Sequence, residues 1–447
     1  MTGSTPTERT NPEEPDKAIV VAVQRSSHSE TEVQDAMDEM EQLALTAGVQ
    51  VLDRLRYRLR RSSAAILIGT GQAEELAARV AACGAQVVLF DEDLSPVQGR
   101  NLESSLGVRV VDRTQVILDI FAQHAQTSEG RLQIELAQLE YARPRLRMLW
   151  SAFERQKGGI GLRGPGEQQL ELDRRRIERR IDALRDQLER VQKRRAELRR
   201  GRTRHGWAQI CLVGYTNAGK STLLNALTSA RIQTDDKLFA TLDPTTRRVQ
   251  LAPHREALLT DTVGFIRKLP HRLVDAFKST LEEVAEADLL LHVINAAHPQ
   301  VDAQIEAVHA TLHDLDAFHK PRIAVLNKTD QPAGRMRSGE LSTRLGRAVA
   351  VSAHTGEGLD ALRNEILDVL KDRREQVSLR IPLREGRLLA LLHQEGHIQS
   401  IRYTETHALV QGLLPAWQLS RIDPFRDTDP DTFFEPAKDP TEPSSPL

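Results

Sequence analysis

The chain has 447 residues, of which 40% are hydrophobic, and a formal net charge of −2 at neutral pH. This length predicts about three domains, each with enough apolar residues for its own core. No apolar run reaches about 18 residues, so no transmembrane helix is predicted, and the N-terminus lacks the features of a secretory signal. The two cysteines, Cys83 and Cys211, lie far apart in apolar runs. This argues against a disulfide framework or a zinc site and predicts a cytoplasmic protein.

Charge is distributed unevenly along the chain. Residues 143–204 contain 20 lysines and arginines against 9 acidic residues, so this segment is basic and the remainder is acidic. Such a segment is typical of a surface that binds a polyanion, although a solvated helical face is the commoner cause of a charge run. The two ends, residues 1–16 and 435–447, are polar and proline-rich and are predicted to be disordered.

Residues 17–113 are predicted to form a small α/β domain. Apolar runs typical of buried strands occur at Ala18–Val23, Ala64–Ile68, Gln86–Phe90 and Val108–Val111. Helical spacing of apolar residues occurs at Val33–Ala47 and Ala73–Ala82. Alternation of this kind predicts a mostly parallel sheet with covering helices.

Residues 114–204 are predicted to form a long helical hairpin. Leucines recur at helical spacing after Thr114, and Pro144 is expected to kink or break that first helix. The second helix carries a heptad seam formed by Leu170, Ile177, Ile181, Leu184, Leu188, Val191 and Leu198. Residues 158–166, here called the tip loop, join the two helices and include five glycines.

The tip loop and its basic neighbours are a candidate RNA-contacting surface. Glycines let the backbone approach phosphates closely, and arginines supply the charge. The alternative is a flexible connector on a dimerisation coil, which would need neither the glycines nor the arginines. The predicted RNA contacts are Arg155, Lys157, Gly158, Gly159, Arg163, Gly164, Gly166, Arg174, Arg175 and Arg176.

A phosphate-binding loop is predicted at Gly214-Tyr215-Thr216-Asn217-Ala218-Gly219-Lys220-Ser221, which fits the pattern G-x-x-x-x-G-K-[ST]. An apolar run typical of a strand precedes it and an amphipathic helical pattern follows it. Backbone N–H groups and the helix N-terminus would face the phosphates. Lys220 would reach the β- and γ-phosphates, and the Ser221 hydroxyl would ligate Mg²⁺.

Three further motifs follow apolar strands in the same segment, residues 207–371. They are Asp261-Thr262-Val263-Gly264, Asn327-Lys328-Thr329-Asp330 and Ser352-Ala353-His354. The first offers a carboxylate to a water on Mg²⁺ and a backbone N–H, at Gly264, to the γ-phosphate. The Asp330 carboxylate can accept hydrogen bonds from guanine N1–H and N2–H₂, which adenine does not offer. The third motif can close over the guanine O6 edge. Together the four motifs predict a GTPase.

One further stretch, Phe239-Ala240-Thr241-Leu242-Asp243, lies where a GTPase has its first switch. A threonine in this region should reach Mg²⁺ when GTP is bound. The residues alone do not choose among Thr241, Thr245 and Thr246.

The phrases F-A-T-L-D-P-T, D-T-V-G-F-I and G-G-x-G-x-R-G-P-G-E closely resemble the HflX family of ribosome-associated GTPases. The resemblance covers nearly the whole chain and implies an α/β fold. A small N-terminal α/β domain with a basic hairpin would precede the P-loop GTPase domain, and a small α+β domain would follow at residues 376–434. It places Thr241 on Mg²⁺ beside Ser221, and Phe239–Asp243 against the nucleotide.

For function, the resemblance implies a factor that binds the large ribosomal subunit and its rRNA, separates the two subunits, and is stimulated by the ribosome to hydrolyse GTP. The residues expected to carry catalysis are Lys220, Thr241, Asp261 and Gly264. A monomer is expected. The alternatives are a GTPase of ribosome assembly or tRNA modification, and an RNA-binding adaptor that uses bound nucleotide as a clamp without turnover.

Two residues refine the expected mechanism. Phe265 stands where many GTPases have a water-orienting glutamine, so intrinsic hydrolysis is expected to be slow and to need outside help. Asn217 resembles the asparagine of potassium-activated GTPases, which implies a K⁺ at the phosphates. Asparagine also suits a tight turn, and this second interpretation is favoured because the sequence does not locate the rest of a cation site.

Overall fold

The computed structural model describes residues 15–26, 28–59, 63–156, 165–203, 207–228, 238–239, 244–253, 255–267, 283–372, 374–395, 397–415 and 422–426. These residues form three sheets with covering helices, which confirms the predicted α/β fold class.

The N-terminal sheet is fully parallel, with strand order β2-β1-β3-β4. Its elements are β1 (Lys17–Gln24), α1 (Glu30–Thr46), β2 (Gln50–Arg58), α2 (Thr70–Cys83), β3 (Val87–Phe90), α3 (Pro96–Leu106), β4 (Arg109–Asp112) and α4 (Arg113–His124). The strand predicted at Ala64–Ile68 is wrong, because there the structure has only an isolated bridge between Ser63 and Leu67. The fourth strand is β2, at the edge of the sheet, where charged side chains alternate with apolar ones and reach solvent.

The hairpin consists of α5 (Ser128–Gln156) and α6 (Pro165–Thr203). Leu136, Ile181 and Leu184 are buried between the two helices, as the heptad seam predicts. Ion pairs across the seam join Arg180 to Glu135 and Arg185 to Glu140, both at 2.7 Å.

Of the predicted kink or break at Pro144, the break does not occur, because α5 continues through the proline. Arg145 stabilises this part of the helix. Its guanidinium donates to the Tyr141 carbonyl at 3.2 Å and lies 3.5 Å from the centre of the Tyr141 ring. The side chain therefore links the turns on either side of the proline, where a backbone hydrogen bond is missing.

The central sheet has strand order β10-β9-β8-β5-β7-β6, and only the β6–β7 pair is antiparallel. Its elements are β5 (Ala208–Gly214), α7 (Lys220–Thr228), β6 (Thr245–Ala252), β7 (Arg255–Asp261), β8 (Leu289–Asn295), α8 (Val301–Asp314), β9 (Arg322–Asn327), α9 (Pro332–Leu345), β10 (Ala348–Ala350) and α10 (Leu359–Asp372). Parallel strands place their carboxyl ends at one edge, which is where such sheets bind ligands. Gly214, Asp261 and Asn327 all lie at this edge.

The C-terminal sheet is antiparallel, with order β11-β13-β12. It contains β11 (Arg374–Pro382), α11 (Gly386–Glu395), β12 (His397–Tyr403), β13 (His407–Pro415) and a short 3₁₀ turn at Asp423–Phe425. Leu379, Leu392 and Val410 belong to its core, so this α+β unit has an apolar centre of its own. Within the described ranges, no helix combines the length and the apolar character needed to cross a membrane.

Candidate nucleotide-binding site

The phosphate-binding loop connects β5 to α7. Gly219 has a φ of 94°, which favours glycine, and an added Cβ would collide with the amide of Asn327. Asn217 has a φ of 57°, a left-handed conformation that asparagine tolerates better than most residues. This conformation agrees with the interpretation of Asn217 as a turn residue.

Lys220 and Ser221 open α7, and their polar atoms contact the phosphate-binding loop and Asp261 respectively. The Lys220 ammonium donates to the carbonyls of Gly214 at 3.2 Å and Tyr215 at 3.0 Å. Burial lowers the pKa of Lys220 from 10.5 to about 8. Ser221 Oγ donates to Asp261 Oδ2 at 2.7 Å. A hydroxyl and a carboxylate this close are hard oxygen donors that fit Mg²⁺, directly or through water.

The segment from Asp261 to Phe265 lies against the phosphate-binding loop. An added Cβ on Gly264 would lie 2.8 Å from Thr216 Cγ2 and 3.0 Å from Lys220 Nζ, so only glycine fits. Phe265 donates its N–H to the Gly214 carbonyl at 3.0 Å and accepts from the Thr216 N–H at 2.7 Å. Its ring is buried in the apolar core, 1% exposed. Phe265 therefore offers this site backbone hydrogen bonds and no polar side chain.

Asn327 joins three of the predicted motifs. Its side-chain Nδ2 donates to the Ala218 carbonyl at 2.9 Å, and its Oδ1 accepts from the Ala353 N–H at 2.9 Å. Asn327 is 2% exposed, so these bonds are shielded from water. This one amide fixes the phosphate-binding loop relative to the loop that begins at Ser352.

Asp330 is exposed at the mouth of the site, and a neighbour orients it. Ser352 Oγ donates to Asp330 Oδ1 at 2.8 Å and accepts from the Thr355 N–H at 3.1 Å. Ser352 is buried and His354 is exposed. A carboxylate fixed in this way can recognise the donor edge of guanine.

The structure brings most of the predicted nucleotide contacts to one edge of the sheet. Thr262, buried, donates its hydroxyl to the Leu212 carbonyl at 2.7 Å, and Thr329 is also buried. Lys328 has a φ of 66°. Phe239 is buried and its ring meets that of Phe121 edge-on, with centroids 4.7 Å apart.

Some predicted residues lie outside the described part of the chain. These are Ala240, Thr241, Leu242 and Asp243 of the first switch, and Lys157, Gly158, Gly159, Arg163 and Gly164 of the RNA surface. The alternatives to Thr241 lie in β6, where the Thr246 and Thr260 hydroxyls are 3.0 Å apart.

The remaining predicted RNA contacts lie on the hairpin helices. Arg155 is in α5, and Gly166 and Arg174–Arg176 are in α6. Arg174 pairs with Glu178 at 3.1 Å and Arg176 with Asp173 at 3.7 Å. Such exposed pairs are weak and leave the arginines available to a polyanion.

Sequence reasoning missed the contribution of the N-terminal domain. Glu39 of α1 accepts a hydrogen bond from the Tyr215 hydroxyl. Arg113 of α4 donates to the Arg267 carbonyl at 3.1 Å, just after the segment that contains Gly264. No spacing pattern connects residues so far apart in the chain.

A mostly parallel sheet with these loops at its carboxyl edge defines a P-loop GTPase. Family models described as GTP-binding GTPase N-terminal, GTP-binding GTPase Middle Region and 50S ribosome-binding GTPase match residues 34–122, 124–202 and 209–328. The GTPase HflX of Escherichia coli K12 is 48% identical over 359 residues, 80% of this chain and 84% of that protein. The GTPase HflX of Lacrimispora saccharolytica is 43% identical over 401 residues, 90% of this chain and 94% of that protein. The chain belongs to the HflX family of GTPases.

Among solved structures, the GDP complex of a GTP-binding protein from the archaeon Sulfolobus solfataricus is similar, with a TM-score of 0.43 and 23% identity, covering 79% of this chain and 98% of that one. Membership of the HflX family makes GTP the substrate of this chain and its hydrolysis the reaction.

Proposed function

We propose that this GTPase acts in the cytoplasm on the large ribosomal subunit, binding rRNA through the α5–α6 hairpin and separating the two ribosomal subunits while GTP is bound. The observation that carries the proposal is the basic hairpin. Its helix α6 has 39 residues, and at 1.5 Å per residue it spans about 58 Å. A family model described as 50S ribosome-binding GTPase also matches residues 209–328.

The residues of the site suit a GTPase that depends on its partner. Lys220 and the N–H of Gly264 would bind the phosphates, and Ser221 with Thr241 would hold Mg²⁺, which neutralises charge on the phosphate oxygens. Phe265, buried in the core, cannot orient a water molecule by a side-chain hydrogen bond. Hydrolysis on the free protein should therefore be slow, and ribosome binding should accelerate it.

Sedimentation of 70S ribosomes with the protein and a non-hydrolysable GTP analogue tests the proposal. Separate subunit peaks are expected, together with faster phosphate release from GTP in the presence of purified large subunits. The double substitution Arg155→Glu and Arg163→Glu should abolish both effects. Lys193→Glu, which also reverses a charge, is the control, because Lys193 lies on α6 about 42 Å along the helix from its tip end.

Persistent 70S peaks with unstimulated hydrolysis would contradict the proposal. Binding to precursor subunits or tRNA instead would favour the alternative of a GTPase in ribosome assembly or tRNA modification. The same phosphate-release assay tests whether K⁺ binds at Asn217. If it does, GTP turnover should be faster in K⁺ than in Na⁺ at equal ionic strength, and equal rates would rule it out.

A further inference from the structure

The phosphate-binding loop contacts the N-terminal domain through a buried hydroxyl. Tyr215 is the second residue of the loop and is 6% exposed. Its hydroxyl donates to Glu39 Oε1 in α1 and accepts from the Arg267 N–H at 2.9 Å. One side chain therefore links the loop, the N-terminal domain and the segment after Gly264.

A buried arginine completes this link. Arg113 Nη2 donates to Glu39 Oε2 at 2.7 Å and to the Arg267 carbonyl at 3.1 Å, while Nη1 donates to Asp91 Oδ1 at 2.6 Å. The Arg113 side chain is 3% exposed. The peptide groups on both sides of the Arg267 Cα are thus bound, the N–H by Tyr215 and the carbonyl by Arg113.

The charges in this cluster keep each group in the form that the contacts require. Burial alone would lower the pKa of Arg113, but Glu39 and Asp91 outweigh it, so the guanidinium stays charged. Burial, followed by the Glu39 charge, raises the pKa of Tyr215, so its phenol stays a neutral donor. Ion pairs buried to this degree are costly to break, because removing one partner leaves the other charge buried without a partner or water.

An apolar contact joins a third nucleotide loop to the same domain. Phe239, at the first switch, packs edge-on against Phe121 of α4, with centroids 4.7 Å apart. The phosphate-binding loop, Phe239 and Arg267, which follows the Gly264 segment, therefore all contact α1 or α4.

We infer that Glu39 and Arg113 are positioning residues for GTP: they hold the phosphate-binding loop and the Gly264 segment in one fixed relation, so the N-terminal domain completes the nucleotide site. The inference goes beyond the proposed ribosomal role and does not depend on it, because it concerns the protein without its partner. It predicts that removing one oxygen atom, that of the Tyr215 hydroxyl, weakens nucleotide binding.

Tyr215→Phe removes that oxygen and keeps the ring. On the full-length protein, release of a fluorescent GDP analogue should become faster and the affinity for a GTP analogue should fall, each by at least about tenfold, the loss expected for one hydrogen bond to a charged group. Tyr57→Phe is the matched control. Like Tyr215, Tyr57 is buried, with 4% of it exposed, but it lies within the N-terminal domain. Its hydroxyl has no hydrogen-bond partner within the described residues.

Arg113 provides an independent series. Arg113→Met should release nucleotide faster than Arg113→Lys, which keeps the charge but not the three directed hydrogen bonds, and both should release it faster than the wild type. Arg54→Gln is the control, because Arg54 pairs with Asp38 and Glu41 on α1 at the surface. If Arg113→Met does not fold, Tyr215→Phe decides the question.

A purely structural role would lower the melting temperature of Tyr215→Phe while the release rate of the GDP analogue and the affinity for the GTP analogue stayed within about twofold of wild type. That result overturns the inference, as does an equal loss of affinity in Tyr57→Phe. Failure to bind ribosomes leaves these affinities unchanged, so the two proposals can fail separately.

Discussion

Asn327→Ala should weaken nucleotide binding, because it removes the amide that links the phosphate-binding loop to the loop that begins at Ser352. The substitution removes the bonds to the Ala218 carbonyl and the Ala353 N–H, both 2.9 Å long. Ala218 and Ala353 are buried, so water does not replace the lost partner. One unsatisfied buried group costs about 1–3 kcal/mol. Two such losses, partly relieved by relaxation, predict GDP binding weaker by about 2 kcal/mol, or about thirtyfold.

Fluorescence titration with a GDP analogue measures this effect, and Asn327→Asp sharpens it. Aspartate keeps an acceptor for Ala353 but turns a carboxylate oxygen toward the Ala218 carbonyl, so at least about a tenfold loss is expected. Asn101→Ala is the control, since Asn101 Nδ2 donates to the Ala65 carbonyl at 3.0 Å at an exposed site. Affinities of both Asn327 variants within twofold of wild type would refute the bridging role.

Three further outcomes concern the same loops. Gly264→Ala introduces a methyl group 2.8 Å from Thr216 Cγ2, so phosphate release should fall at least about tenfold while GDP titration changes little; normal turnover would contradict the contact. Ser352→Ala frees Asp330, so the preference for GTP over ATP in competition binding should fall about fivefold, and an unchanged preference would show that Ser352 does not orient it. The pKa of Lys220 is about 8 in the folded protein and 10.5 ordinarily. Between pH 8 and 10.5, Lys220 is therefore protonated in the unfolded chain and mostly neutral in the folded protein. Nucleotide-free protein should therefore gain thermal stability with rising pH in that window relative to Lys220→Met, and parallel melting curves would contradict this.

Most of the fold could be predicted from apolar runs, and the failures have physical causes. Strand β2 was missed because four of its nine residues are charged and its side chains face solvent at a sheet edge. Ala64–Ile68 is apolar enough to resemble a strand but forms a turn. At Pro144 the local rule predicted a kink or a break, but the helix is not broken there, where Arg145 contacts Tyr141 and Asp112.

The candidate site also has a part that could be predicted from sequence and a part that could not. Loops that follow strands could be predicted because each motif is contiguous in sequence. The role of Asn327 as a bridge between two loops, and the cluster of Glu39, Arg113 and Tyr215, depend on residues brought together only by packing. The residues of such a cluster have no spacing of their own for a sequence pattern to detect.

The two cysteines give the protein a practical property. Cys83 is exposed at the end of α2, whereas Cys211 is buried in β5, and burial raises the pKa of its thiol. Because the thiolate is the reactive form, a maleimide dye will attach to Cys83 alone. The unsubstituted protein therefore accepts one fluorophore on its N-terminal domain. Paired with a fluorescent guanine nucleotide, that label reports the distance between the domain and the bound nucleotide through each turnover.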